Sequence, residues 1–459
     1  VAIRASRDKL TRRGRPSVDR RGLCEILMPH TIKAVDTVWV DLPLRPIPAR
    51  NMRREIPHWT LFEICRVTLS SGVVGIGETM VYYTWGAGTV SEEAKKRVIG
   101  RHPAEVMWDD SLGAGLQIAL FDAAAKILDV PLFQMLGKQH RDRCHVSWWD
   151  IDMPTQDWIS ECQLAIANGY NSFKTKGRPW FDLVENTRQL CQALPAHFEV
   201  DMDFNGFGVD TAHCTRLLKE LEQFPQVVMF ESPIPHSDVA GYRYLRQHTH
   251  VPISIHTPTG FNATWSGDTP IELAIREEMA DGFVLCGGAS RIQRDALVCQ
   301  AHNRSFFLQI VGTKIAAAFA LQLGAVLENA RWPSVNCHQL FERDCVRTAL
   351  PVENGLCAVP SGPGLGIELD DEAIERFRTA PKPKPFPYPE QLLAIRWPTG
   401  TTSFYNHAAQ YWADWLGGKL PFFPKGVFLE TVPNDGSRVW RELFERAERG
   451  AVHSAEPPF

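Results

Sequence analysis

The chain has 459 residues, of which 44% are hydrophobic and 22% charged; this is ordinary globular composition at a length that calls for two or three domains. A net charge of -4 gives no reason to expect nucleic acid or an anionic membrane as partner. No apolar run reaches membrane-spanning length, and the 11 cysteines lack the C-x-x-C spacing of a zinc site, which fits reduced thiols in a cytoplasmic protein.

Residues 1–31 are basic (Arg4, Arg7, Lys9, Arg12, Arg13, Arg15, Arg20, Arg21) without the apolar centre of a signal peptide. They read as a flexible or partner-draped arm. From residue 32 the pattern turns β-rich: Ile32 to Leu42 alternates, Trp59 to Leu69 is apolar and β-branched, and a Ser70-Ser-Gly72 turn precedes Val73-Val-Gly-Ile-Gly-Glu78. Residues 91–136 are helical, and the run 115–128 is apolar almost all round, the mark of a buried helix. Residues 32–140 therefore form a small α+β unit.

Beyond His145 short apolar strands alternate with helices of ten to fifteen residues, the signature of βαβ units on a parallel sheet. Strands are predicted at His145–Trp149, Ser172–Lys176, Phe198–Asp203, Val227–Glu231, Ile253–His256, Gly282–Cys286 and Phe306–Ile310, within a unit spanning 141–350. Seven strand–helix units and a closing strand make a barrel; a doubly wound open sheet is the alternative, without a G-x-G-x-x-G after any strand to support it. Residues 351–380 return to extended chain. Pro381-Lys-Pro-Lys-Pro-Phe-Pro-Tyr-Pro389 then forms a stiff linker at the head of the 381–459 extension. The aromatic residues beyond it (Trp397, Phe404, Tyr405, Tyr411, Trp412, Trp415, Phe422, Phe423) are expected to pack on the body or across a subunit interface.

The chemistry gathers at the strand ends. Lys174 and Lys176 alternate onto one face of their strand, so each crowds the other's charge, and a lysine so placed becomes a proton-abstracting base. The next strands end in Asp201 and Asp203, in Glu231 and in His256. A barrel collects such ends around one mouth. A lone carboxylate at a strand end is often just a helix cap, but several in register suit Mg²⁺, which takes few protein ligands.

These residues resemble the enolase superfamily, nearest its mandelate racemase and muconate lactonizing enzyme group, over residues 32–378. The markers are Gly75-Ile-Gly-Glu78, Leu112–Leu128 with Pro131-Leu-Phe-Gln-Met-Leu-Gly137, the K-x-K of Lys174 and Lys176, Asp203–Gly206, Phe230-Glu-Ser-Pro233, Gly287-Gly288 and Pro360–Gly366. The resemblance implies an α+β capping domain over a (β/α)₇β barrel, and abstraction of a proton α to a carboxylate, usually on Mg²⁺. It assigns Lys176 as base and Lys174 as the neighbour that tunes it. Asp203 and Glu231 become metal ligands, with Asp201 the fallback, and His256 stands where a third carboxylate belongs. An imidazole there leans towards Mn²⁺, Fe²⁺ or Zn²⁺. The sixth strand carries neither Lys nor Asp, the seventh offers Gln309, and the usual glutamate near the last strand aligns with Ala316, with Lys314 as a replacement.

For the substrate, Arg53 and Arg54 are candidates to meet an acid group, and Tyr82, Tyr83, Trp85, Trp148 and Trp149 to form stacking walls. The expected reaction is a sugar-acid dehydratase-like lyase on a small carboxylate or acid sugar, in a homo-oligomer. A racemase, epimerase or cycloisomerase is the runner-up. A relative that has lost the metal, binding a ligand without turnover or serving as a structural partner, is the alternative of another class.

Overall fold

The computed structural model describes residues 30–83, 89–257, 269–382 and 386–455. The basic arm up to residue 29, Trp85, the Pro258–Gly260 loop and residues 383–385 of the proline-rich linker lie outside the described residues. No helix among the described residues is long and apolar enough to cross a membrane, and the described cysteines form no disulfide.

Three antiparallel strands, β1 (Ile32–Asp41), β2 (Leu61–Leu69) and β3 (Val74–Met80), make the first sheet in the order β1-β2-β3. The helix Ala114–Ile127 packs across it, and all but the last two of its residues are buried, as its all-round apolar sequence requires. Contact is close because Gly75 and Gly77 face the helix. A Cβ on Gly77 would lie 2.1 Å from the carbonyl oxygen of Gly115. Two buried carboxylates tie this layer to the rest of the chain. Asp122 accepts the amides of Ile76 (2.8 Å) and Leu365 (2.7 Å), which explains the glycine-rich 360–366 segment folding back here. Glu78 accepts the amides of Thr313 (2.7 Å) and Ala316 (3.0 Å) and the Thr313 hydroxyl (2.6 Å), capping the helix Lys314–Val326.

Eight parallel strands form the centre: β4 (Arg143–Trp149), β5 (Ser172–Lys176), β6 (Glu199–Asp203), β7 (Val227–Glu231), β8 (Ile253–Thr257), β9 (Gly282–Leu285), β10 (Ser305–Leu308) and β11 (Ser334–Val335). They hydrogen-bond in sequence, β11 pairs with β4, and a Gln309–Val335 bridge joins the two ends, so the sheet closes. A helix stands between each pair of successive strands, giving the (β/α)₇β order. Residues 314–316 belong to the last of these helices, not to the start of the final strand, and Lys314 lines a separate outer groove with Asp344. Neither Ala316 nor Lys314 therefore takes the place of a strand-end glutamate.

After the short hairpin of β12 (Val352–Glu353) and β13 (Leu356–Ala358), the chain ends in a four-stranded antiparallel sheet. Its strands are β14 (Leu392–Arg396), β15 (Thr402–Tyr405), β16 (Phe428–Val432) and β17 (Val452–Ser454), in the order β16-β14-β15-β17, with helices Ala408–Leu416 and Arg438–Ala447. Its aromatic face (Tyr405, Tyr411, Trp415) shares one apolar cluster with Trp180, Phe181 and Phe207 from the loops after β5 and β6. The aromatics thus pack on the body of the same chain, over the carboxyl ends of the barrel strands.

Candidate active site

Register decides which side chains meet. Lys174 pairs with Asp201, Lys176 with Asp203 and Asp203 with Glu231, so all five point into the barrel. Lys174 is fully buried. Its Nζ donates to Glu231 Oε2 and to Gln309 Oε1 (2.7 Å), and lies 3.6 Å from Asp203 Oδ2. Burial alone would lower the Lys174 pKa, but the Glu231, Asp203 and Asp201 carboxylates outweigh it and hold the ammonium well above its usual value. Lys176 Nζ donates to Asp203 Oδ2 (2.5 Å) and Asn205 Oδ1 (2.9 Å) beneath the Trp149 ring, 5.9 Å from its centroid. Burial lowers its pKa, Asp203 opposes, and Lys174 and Arg178 add to the lowering. Asp203 sits far below the carboxylate range: burial pushes it up, but Lys176 and Lys174 pull it down by more. Asp201 is the reverse, raised by burial and by Glu231. His256 Nδ1 lies 3.3 Å from Glu231 Oε1. Burial would lower this imidazole, yet Cys286 and Glu231 bring it up to about 9.

These residues do not fit a divalent ion. Three of the four oxygens of Asp203 and Glu231 already accept from a protein donor: Asp203 Oδ1 takes the Asn205 amide (2.9 Å), Oδ2 takes Lys176 and Glu231 Oε2 takes Lys174, while Glu231 Oε1 lies 3.3 Å from His256 Nδ1 without a hydrogen bond. The Lys174 ammonium stands between the two carboxylates, where an ion would need open oxygens. Among the described residues no three His, Cys, Asp or Glu side chains converge on a metal position. Asp203, Glu231 and His256 are brought together, but the two carboxylates are partners of lysines and His256 lies against Glu231. Of the ligands expected for Mg²⁺ or Mn²⁺, only Glu231 Oε1 and the His256 ring nitrogens are left without a hydrogen bond, and Lys174 and Lys176 hold the carboxylate oxygens beside them.

Above this layer opens a cavity of about 610 Å³ of non-atom space, its mouth included, bordered by Lys176, Arg178, Asn205, Gln309 and Glu55 with Trp59, Tyr83, Trp149, Phe207 and Trp412. Arg178, buried, donates to Asn205 Oδ1 (2.7 Å) and to the carbonyls of Gly177, Asp203 and Phe204, and lies 4.5 Å over the Phe207 ring. No carboxylate among the described residues pairs with it, and its Nε is left without a hydrogen-bond partner. Gln309 bridges the layers, accepting from Lys174 and donating to the Tyr83 hydroxyl (2.9 Å).

Four predicted substrate residues lie elsewhere. Arg53 is exposed on an outer groove. Arg54 is buried but spent on Asp152 (2.6 Å) and Glu55 (3.3 Å). Tyr82 packs on His58 and Phe386. Trp148 points outward, donating to Glu161 (3.0 Å) beneath Arg45. In the last two cases the chain neighbour does the work: strand alternation that sends Trp148 outward sends Trp149 inward, stacked 5.0 Å from Trp59, and Tyr83 reaches the cavity where Tyr82 does not. Arg178 was legible by the same alternation, continuing Lys174 and Lys176. Glu55 and Trp412 carry no local signal, because only the folded chain brings them to the barrel.

The family model described as "Enolase C-terminal domain-like" matches residues 157–373. Muconate cycloisomerase 1-2 of Acinetobacter lwoffii is 27% identical, over 77% of this chain and 97% of that protein. D-galactonate dehydratase of Ralstonia pickettii (strain 12J) is 25% identical, over 71% of this chain and 92% of its own length. The muconate lactonizing enzyme from Pseudomonas fluorescens, solved with muconolactone, superimposes with a TM-score of 0.63 at 22% identity, covering 76% of this chain and all 100% of that one. With the barrel order and the K-x-K, D-x-N-G and E-S-P strand ends, these likenesses show that the chain resembles the mandelate racemase and muconate lactonizing enzyme group of the enolase superfamily, a group of lyases and isomerases, with residues 157–373 matching its C-terminal domain.

Proposed function

We propose that this protein is a lyase of small hydroxy acids, in which Lys176 removes the proton α to a carboxylate held against Arg178. The observation that carries the reading is the Lys176 amine beside Arg178, a guanidinium with no carboxylate partner among the described residues, on one wall of an aromatic cavity. Superfamily members generally use Mg²⁺; here side chains carry the positive charge instead. Arg178 binds the substrate carboxylate and, with Lys176, favours the negative charge that builds on it as the α-carbon loses its proton. Asp203 and Asn205 hold Nζ in place, and burial favours its neutral, basic form. The aromatic walls exclude water and bracket a short carbon chain.

Dehydration of a sugar acid is the favoured reaction, in keeping with the dehydratases among the relatives. Cycloisomerisation is the second reading, favoured by the cycloisomerase at 27% identity and by the apolar walls. The test is incubation with D-galactonate, D-xylonate and a panel of related acids in D₂O, followed by proton NMR. The expected result is loss of the α-proton signal or growth of a keto acid, reduced at least about a hundredfold in Lys176→Met. Should no acid exchange or react with the wild-type protein, the ligand-binding relative takes its place.

A further inference from the structure

We infer that the C-terminal sheet-and-helix segment, residues 392–454, builds part of this active site, and that Glu55, held by its Tyr411, supplies the acid that complements the base Lys176. The inference rests on the lyase reading above and adds the group that reading lacks, since expelling a hydroxyl needs a proton donor as well as a base.

Three observations meet at one place. Among the described residues that border the cavity, Glu55 is the one carboxylate. Its Oε1 accepts from the Tyr411 hydroxyl at 2.8 Å, and Tyr411 is fully buried. The next residue, Trp412, is itself a wall of the cavity, packed on Phe207 (5.8 Å between ring centres) and Trp180 (6.4 Å). The helix bearing both is clipped to the barrel by Trp415, whose Nε1 donates to the Phe207 carbonyl at 3.1 Å. This segment lies beyond residues 157–373, which carry the family match. The cavity therefore has a wall and an acid-holding hydroxyl that the family region does not supply.

The groups facing Glu55 are Arg54, Asp152, Arg178, Tyr411 and Tyr388. Burial and Asp152 push its carboxyl up to about 7, against Arg54, Arg178 and the Tyr411 hydrogen bond, so near neutrality it both holds and releases a proton. In the step assigned here, neutral Lys176 takes the α-proton and the C–H pair becomes the new C=C bond. The β C–O bond breaks with its pair on oxygen, and that oxygen takes the Glu55 proton and leaves as water. The enol then becomes the 2-keto acid by losing its hydroxyl proton and gaining one at carbon, and solvent returns Lys176 and Glu55 to their starting states.

The test uses the full chain and an acid that exchanges in the D₂O screen. In Glu55→Gln, elimination falls about 10²–10⁴-fold and at least about tenfold more than α-exchange does, whereas Lys176→Met loses both. Tyr411→Phe lowers kcat about tenfold or more with KM within about twofold and moves the pH profile upward. Trp412→Ala raises KM. Independently of any substrate, carbon NMR of protein labelled at the glutamate side-chain carboxyl, with the Glu55→Gln spectrum identifying the signal, follows titration of this group. Titration near 7 that moves up in Tyr411→Phe supports the inference. Titration below about 5, in the ordinary carboxylate range, or elimination in Glu55→Gln within about threefold of wild type, overturns it while leaving the Lys176 reading intact. Absence of α-exchange in the wild type is the separate failure of that reading.

Discussion

Replacing Lys174 by methionine removes the ammonium that stands between two buried carboxylates. At the 3.6 Å separation from Asp203, an effective dielectric of about 20 puts the attraction near 4–5 kcal/mol, and the contact with Glu231 is closer. Desolvation of the lysine offsets part of this, so the net loss falls in the range of about 3–5 kcal/mol measured when one partner of a buried pair is removed. For a barrel of this size that corresponds to a fall in Tm of roughly 6–20 °C. Glu231→Met should cost a similar amount, because it strands the lysine. The double variant should recover at least about 2 kcal/mol of the summed loss, since no charge is then left without its partner. Circular dichroism melts of the four proteins measure the cycle, with Tm shifts as the readout because a chain of several folded units need not unfold in one step. Two small, additive losses would show that Lys174 does not bridge the carboxylates, and the reasoning about this layer would fail.

Manganese titration followed by electron paramagnetic resonance should leave the free-ion signal undiminished with the wild-type protein up to about 1 mM, since Lys174, Lys176 and the Asn205 amide occupy three of the four oxygens of Asp203 and Glu231; stoichiometric uptake at micromolar ion would refute the lysine-filled arrangement. Glu78, whose carboxyl burial pushes up to about 7 from an unfolded value near 4.3, binds more protons folded than unfolded. Its contribution is therefore full below about pH 4.3 and is lost as pH rises through about 7, so Glu78→Gln should flatten the fall of Tm across that window, and an unchanged slope would count against it. Gly77→Ala puts a Cβ 2.1 Å from a backbone oxygen, so it should cost at least about 1–3 kcal/mol, read as a lowered Tm. A variant as stable as wild type would mean the helix does not lie where described.

Much of this was legible in the chain because it is written locally. Strand alternation placed Lys174, Lys176, Asp203 and Glu231 on one face, and the barrel's parallel register then had to gather them. The apolar run that became the helix 114–127 carried its burial in its composition. Elsewhere residue type alone did not separate neighbours or partners. Of the aromatic pairs expected at the walls, Trp149 and Tyr83 line the cavity and Trp148 and Tyr82 do not; for the tryptophans this follows from alternation along their strand. Arg54 was available for a substrate carboxylate by residue type, but Asp152 and Glu55 claim it first.

The sequence by itself determined the barrel and the set of charges at its mouth, since period and order of side chains follow from local geometry. Only the tertiary structure decided how those charges neutralise one another and what covers them. Whether a carboxylate meets a lysine, a metal or a substrate depends on distances of a few ångströms between strands far apart in the chain. The same holds for Glu55, Tyr411 and Trp412, which come from the two ends of the described chain and meet through buried packing that no local pattern encodes.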